Sequence, residues 1–406
     1  MKPVRHLLAM AVLAGLSAQA QAEMNLDIIG DNEIAIEALI QADYNAFSNN
    51  YEFARLDGVA LTSAQQTTLA NSFGVLKDDN SMRRSEFILK GKGPVYDWTI
   101  GYDFSTQAGK GKFLDVNYRY RLTADYGVRV GQFKQPNSLE ELASTRYNDF
   151  ISKAVTTNAF AIARRVGVEA QTGGASWTLT GTWFGRELTT GLARGPGYGV
   201  RATWAPLMTD TDTVHLGVSA IRADTRHDLY RNRVRPDADL SNLRLIDTGD
   251  LKDADHLTTL GVEGLWLHGP FKVMGEYMKS DIARTANDDF SGDSWYLSGV
   301  WNITGEAFTY KQGVYNTPLP NDPGYKGMFQ AAVRYDTIDL DDRMVNGGTQ
   351  DSWTAGVNWY WRQNLKLMLN YVKVDTDRNV RISGVSSPIL MSNDPDILEV
   401  RVQFML

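Results

Sequence analysis

The chain has 406 residues, no cysteine and a formal charge of −7. The missing cysteine excludes disulfide scaffolds, cysteine-ligated metal sites and thiol nucleophiles, and the negative charge offers no broad basic field for nucleic acid. A mean hydropathy of −0.31, with no apolar run of about 18 residues in the body of the chain, excludes a bundle of membrane helices but not a membrane barrel, whose lipid-facing residues alternate with polar ones.

Residues 1–22 form an export signal: Lys2 and Arg5 precede the apolar run LLAMAVLAGLSA, and Ala20-Gln21-Ala22 is a small-x-small cleavage site. From 23 to 406 there is no break in composition and no short repeat, so one domain is expected. An exported chain without cysteine suits the bacterial envelope.

From there the sequence alternates strictly, with turn residues between the alternating segments. IAIEALIQADY, RRSEFILKG, DWTIGYDFS, KFLDVNYRY, YGVRVGQFK, RRVGVEAQT, SWTLTGTWF and YGVRATWAP fill the first half. TVHLGVSAIR, LTTLGVEGLWL, FKVMGEYMK, SWYLSGVWNI, FQAAVRYDTI, SWTAGVNWYW, LKLMLNYVKV and ILEVRVQFM fill the second. In FLDVNYRYR, alternation puts Leu114, Val116, Tyr118 and Tyr120 on one face and Asp115, Asn117, Arg119 and Arg121 on the other. Sixteen such segments, at about 24 residues each with its connection, predict an all-β, 16-stranded antiparallel transmembrane β-barrel. Connections after odd strands are long and those after even strands mostly short, with 304–326 the exception. Aromatic residues such as Trp359, Trp361, Tyr118, Tyr120 and Phe404 share the apolar parity near strand ends, as interface girdles do.

A barrel this wide holds water, so function is sought on the polar face and in the loops. The head of strand two carries Arg83 and Arg84, with Arg84 on the luminal parity. The third long loop, QPNSLEELASTRYNDFISKAVTTNAF, starts a short helix at Ser138 and Glu141. Folded inward as a constriction, it would set a local field through Glu140, Glu141, Arg146, Asp149 and Lys153; the other reading is a surface lid. The fifth long loop carries Arg231, Arg233 and Arg235 at two-residue spacing, about 7 Å apart when extended, a row of forked cations suited to passing an anion along. The alternative is a solvated basic loop balanced by Asp237 and Asp239, or one that binds lipopolysaccharide phosphates. No histidine pair has a metal-ligand spacing, and no metal or cofactor is expected.

With those residues in hand, the chain resembles the phosphate-selective porin O and P family of Gram-negative outer membranes. The resemblance rests on LIQADY, MRRSEFILKG, FLDVNYRY, VGQFKQPNSLEELAST, WAPL, RNRVRP, ITGE and GVNWYW in that order. It implies a homotrimer of sixteen-stranded barrels in the bacterial outer membrane, an infolded third loop, and passive passage of small anions such as phosphate, in contact with outer-membrane lipid and lipopolysaccharide. Arg231, Arg233 and Arg235 match the family's arginine ladder, Arg83 and Arg84 a paired arginine of the central binding zone, and Asp115 its acidic residue. The departures are Leu39 where the family has an arginine, Glu141 where it has a central lysine, a lysine-free acidic stretch before strand one, and Leu406 in place of a terminal aromatic. Leu39 and Glu141 favour a general or organic-solute channel on the same scaffold as the second reading. An outer-membrane barrel enzyme would need a Ser or Asp beside a histidine, with His215 and His268 the strand-located candidates.

Overall fold

Sixteen antiparallel strands pair in sequence and close when the first meets the last. They are β1 Asn32–Phe47, β2 Asp79–Lys92, β3 Tyr96–Asp103, β4 Lys112–Arg121, β5 Tyr126–Lys134, β6 Arg164–Gly173, β7 Trp177–Phe184 and β8 Gly197–Met208. Then follow β9 Asp212–Asp224, β10 Ala254–His268, β11 Phe271–Arg284, β12 Phe290–Asn302, β13 Met328–Asp342, β14 Val345–Arg362, β15 Leu365–Val380 and β16 Asp396–Met405. This computed structural model describes residues 24–29, 32–49, 51–52, 62–63, 65, 75–105, 111–123, 125–189, 195–241, 243–320, 326–380 and 389–406. The export signal expected at 1–22 lies outside the described residues.

Closure follows from the solvent: in lipid every backbone N–H and C=O must bond within the protein, and a closed sheet has no unpaired edge. The seam is reinforced from within by register. Gln41, Asp43 and Asn45 of β1 stand opposite Gln403, Arg401 and Glu399 of β16. Each pair is hydrogen-bonded, Arg401 to both oxygens of Asp43 at 2.7 and 2.6 Å.

The outer face is apolar and exposed. Trp177 and Trp183 on β7, Tyr198 and Trp204 on β8, Trp295 and Trp301 on β12, and Trp353 and Trp359 on β14 lie six residues apart on the outward parity. That is about 20 Å along a strand, so their rings lie toward opposite rims of the outward apolar face, as girdles do.

Six register shifts interrupt the barrel ladders, and three of them lie among the first eight strands. Between β1 and β2 the register shifts at Gln41/Ala42, opposite Arg83. Between β3 and β4 it shifts at Ile100/Tyr102, and in β8 at Pro206, where the ladder loses a donor. The β4 bulge corrects the expected face of Leu114: it is 2% exposed, and Phe113, 43% exposed, takes the outward place beside Val116. Gly131 on β5 packs against this bulge with φ +115, where a Cβ would lie 2.2 Å from the Val116 carbonyl oxygen.

Strand length divides the barrel into two walls. β3–β7 have 8 to 10 residues, whereas β10–β15 have 13 to 18. On the long-loop side two connections of the longer wall, 285–289 and Arg343–Met344, are tight turns, and the strands themselves extend in their place.

Candidate functional site

The inward residues of the longer wall are covered. The segment between β5 and β6 carries α1 (Leu139–Leu142), a 3-10 turn (Thr145–Tyr147) and α2 (Val155–Phe160). As expected, Ser138 starts the first helix, its hydroxyl accepting from the Glu141 N–H at 3.1 Å. A wall residue completes the cap: the Glu276 carboxylate on β11 accepts from the Leu139 N–H, the Glu140 N–H and Ser138 Oγ at 2.8–3.2 Å, and from Tyr296 Oη at 2.7 Å. A carboxylate meeting the free N–H groups of a helix start is doubly favourable. Further contacts follow around the wall: Lys272 to Asp149 at 2.6 Å, Asn358 to the Asp149 carbonyl at 2.7 Å, Asn370 to the Ile151 N–H at 2.7 Å and Gln403 to the Arg146 carbonyl at 2.7 Å.

Of the five charged residues expected to set a field in this segment, three are taken up by such contacts. Asp149 binds Lys272. Arg146 donates to the Leu406 and Ala38 carbonyls and lies 3.4 Å from Glu37. Glu140 accepts from the Ala154 N–H and Thr157 Oγ1, bracing the loop against itself. Glu141 and Lys153 pair with each other. Burial pushes the Glu141 carboxyl up, but Lys153 and Lys134 more than reverse this and hold it at about 2.

The fifth long loop folds back on itself, Arg233–Val234 pairing with Ile246–Asp247. Asn232 and Val234 pack inward while Arg231 and Arg233 are exposed and Arg235 half-buried, so the three arginines share one side. They differ in their partners. Arg231 grips Asp247 at 2.7 and 2.5 Å, Arg235 donates to the Ser241 carbonyl at 2.5 Å, and Arg233 has no acidic partner among the described residues. The fold-back adds Arg244, whose pKa is lowered to about 10 by desolvation and by the nearby Arg235 and Arg233. Asp237 and Asp239 pair with arginines of the barrel wall, although Asp239 also attracts Arg235 and Arg244. Asp237 lies 3.8 Å from Arg334 on β13, and Asp239 binds Arg83 at 2.9 Å. Burial raises the Asp239 carboxyl, but Arg83, Arg401 and Arg84 pull it well below the usual range.

The shorter wall, together with the adjoining head of β2, carries a group of part-exposed bases. The β2 bulge turns Arg83 inward beside Arg84, which alternation alone would not do. Arg84 binds Glu86 at 3.0 Å, and Arg164 holds Asp115 at 2.6 and 2.8 Å. Lys112 stands opposite Asp103 and within electrostatic reach of Arg83, Arg84 and Arg164. Alternation from Leu114 assigns Lys112 to the lipid face; the β4 bulge reverses it, and no local pattern announces that bulge. His215 and His268 stand apart from this group: His215 is bonded to Tyr310 and Glu263, His268 to Asp212.

Comparison with known proteins adds three findings. The family model "Phosphate-selective porin O and P" matches residues 66–406. Among curated proteins, Porin O of Pseudomonas aeruginosa is 22% identical over 372 residues, 80% of this chain and 82% of that one. An uncharacterised protein of Caulobacter vibrioides is 31% identical over 302 residues, 68% of this chain but only 59% of that protein's length. Solved structures with the same fold include OmpT of Vibrio cholerae (TM-score 0.57, 8% identity, 94% and 100% of the two chains) and the outer-membrane channel DcaP of Acinetobacter baumannii (0.55, 12%, 94% and 99%). The anion-selective porin from Comamonas acidovorans is a third (0.54, 10%, 92% and 100%).

Proposed function

The chain belongs to the phosphate-selective porin O and P family, which makes it an outer-membrane porin, and we propose that it passes small anions, phosphate among them, along the shorter wall of its barrel. One observation carries the reading: Arg83, Arg84, Lys112 and Arg164 gather on a stretch of inner wall whose side chains remain part-exposed. The path begins at the arginines of the fifth loop (Arg231, Arg233, Arg235), continues through Arg83 and Arg84 beside Asp115, and passes the third loop, which narrows the lumen from the opposite wall. Support for that infolding comes from the bonds joining the loop to Glu276, Lys272, Asn358 and Gln403. No chemistry is needed. Guanidiniums replace part of the anion's hydration shell, and several sites of moderate strength allow both entry and exit.

Residues 23–406 then form one exported domain, its short turns in the periplasm, its girdles in lipid and lipopolysaccharide, assembled as a homotrimer. A second reading, a general or organic-solute channel, is favoured by two particulars. Leu39 is buried in an apolar cluster with Met328, Tyr360 and Met405, and Glu141 neutralises Lys153. Planar-bilayer recording separates the two. A reversal potential of anion sign in a KCl gradient, with phosphate competing against the chloride current, is the expected result. Chloride current untouched by phosphate selects the second reading, and cation selectivity refutes the anion reading. Replacing Arg231, Arg233 and Arg235 together by Ala should lower anion conductance.

A further inference from the structure

We propose that Arg119 and Arg129 form a separate binding station for small oxyanions on the short-turn half of the path, an extension that rests on the anion reading above. The register sets the pair. Arg119 on β4 is directly opposite Arg129 on β5, and Arg129 is directly opposite Glu169 on β6, so the three side chains form one row across three strands. Like charges directly opposite each other destabilise a sheet. Here one carboxylate serves two guanidiniums, Arg119 at 3.4 Å and Arg129 at 2.5 Å. Asp97 on β3 stands opposite Arg119 and binds Arg121, so three arginines and two carboxylates leave the cluster one net positive charge.

Two guanidiniums offer ten N–H groups, and Glu169 takes two of them. The Arg129 guanidinium lies over the Phe133 ring, 4.2 Å from its centroid, which holds the plane of the fork. Its Nε is buried without a hydrogen-bond partner. Exposure separates this row from the structural ion pairs of the barrel. The side chains of Arg201 and Arg334 are 5% and 1% exposed, whereas those of Arg119 and Arg129 are 29% and 19% exposed. Two residues further along β4, Arg121 bonds Asp97 at 2.7 Å and is also part-exposed. It extends the row by about 7 Å toward the short-turn end. A fork held flat, wet and under-neutralised matches the oxygens of a phosphate or carboxylate.

The test uses the whole chain in single-channel recordings, with inorganic phosphate added to one side at a time. The chain has no cysteine, and Met344, 74% exposed in the β13–β14 turn, marks the long-loop side as Met344→Cys with an impermeant thiol reagent. Arg119→Gln and Arg129→Gln, made singly, each leave one arginine on Glu169. Each should raise the phosphate concentration that half-blocks chloride current from the short-turn side about tenfold, the scale of one charge-assisted contact, and change long-loop-side block much less. Arg129→Lys keeps the charge without the fork and should fall between. Unchanged short-turn-side block in both Gln variants, with heat-modifiable gel migration showing folded barrels, would make the row a structural weld and overturn the station. Anion selectivity with phosphate block from the long-loop side alone also overturns it and leaves the proposed function standing. A cation-selective wild-type channel removes both.

Discussion

The two walls of the barrel put the same residue types to opposite uses. On the longer wall, Lys272, Glu276 and Arg334 are buried beneath loops and bonded to them. Arg334 is 1% exposed and binds Asp336 at 2.7 Å and the Ser152 carbonyl at 3.0 Å, with Asp237 and Glu140 each at 3.8 Å and the Phe150 ring beneath it. One guanidinium thus joins the wall, the third loop and the fifth. On the shorter wall and the adjoining β2, Arg164, Arg119, Arg129 and Arg84 keep 16 to 29% of their side-chain surface in contact with water. Charge buried with satisfied partners specifies a conformation, while charge left at a water-filled surface exchanges partners with a passing ion.

That contrast predicts where a substitution damages folding and where it damages transport. Arg334→Met leaves Asp237 and Asp336 buried without their cation, which costs about 3–5 kcal/mol. Thermal unfolding in detergent should show the loss, and unaltered stability would mean the loops are held elsewhere. Glu276→Gln, which weakens the cap of α1, should cost about 1–3 kcal/mol and raise hydrogen exchange at residues 139–141 while the strands stay protected. Arg164→Gln on the shorter wall should change stability by less than about 1 kcal/mol, since such part-exposed pairs contribute little, yet lower the anion-to-cation permeability ratio several-fold. A large stability loss there would erase the distinction between the walls.

The smallest expected effect is at Glu141. Its folded pKa of about 2 lies below the ordinary 4.5. Its contribution to stability is therefore complete above about pH 4.5 and lost as pH falls through about 2. Selectivity should hold steady between pH 7 and 4, and Glu141→Gln should raise anion preference modestly and equally across that range. A selectivity step near pH 5 in the wild type would show that Lys153 does not hold the carboxylate.

All sixteen strands were legible in the sequence, because a strand with one face in lipid and one in water writes its period into consecutive residues. So were the helix start at Ser138 and the shared side of Arg231, Arg233 and Arg235. Arg83 and Lys112 were not legible as luminal, because a bulge adds one residue to one strand and inverts the parity on that side of it. Arg244 joins the arginine row only after the fifth loop folds back on itself. The 304–326 connection stood out by length, but its hairpin, Thr309–Lys311 paired with Val314–Asn316, ends in a contact no spacing suggests: the Gly313 carbonyl accepts from Arg201 on β8 at 2.8 Å.

The sequence by itself determined the barrel, its strand number and its lipid face, since these depend on alternation and loop length, both local properties of the chain. Tertiary structure decided which charges are wet. Whether an arginine braces the wall or faces the water depends on bulges and on loops arriving from more than a hundred residues away, as Arg334 meets Ser152 and Arg83 meets Asp239.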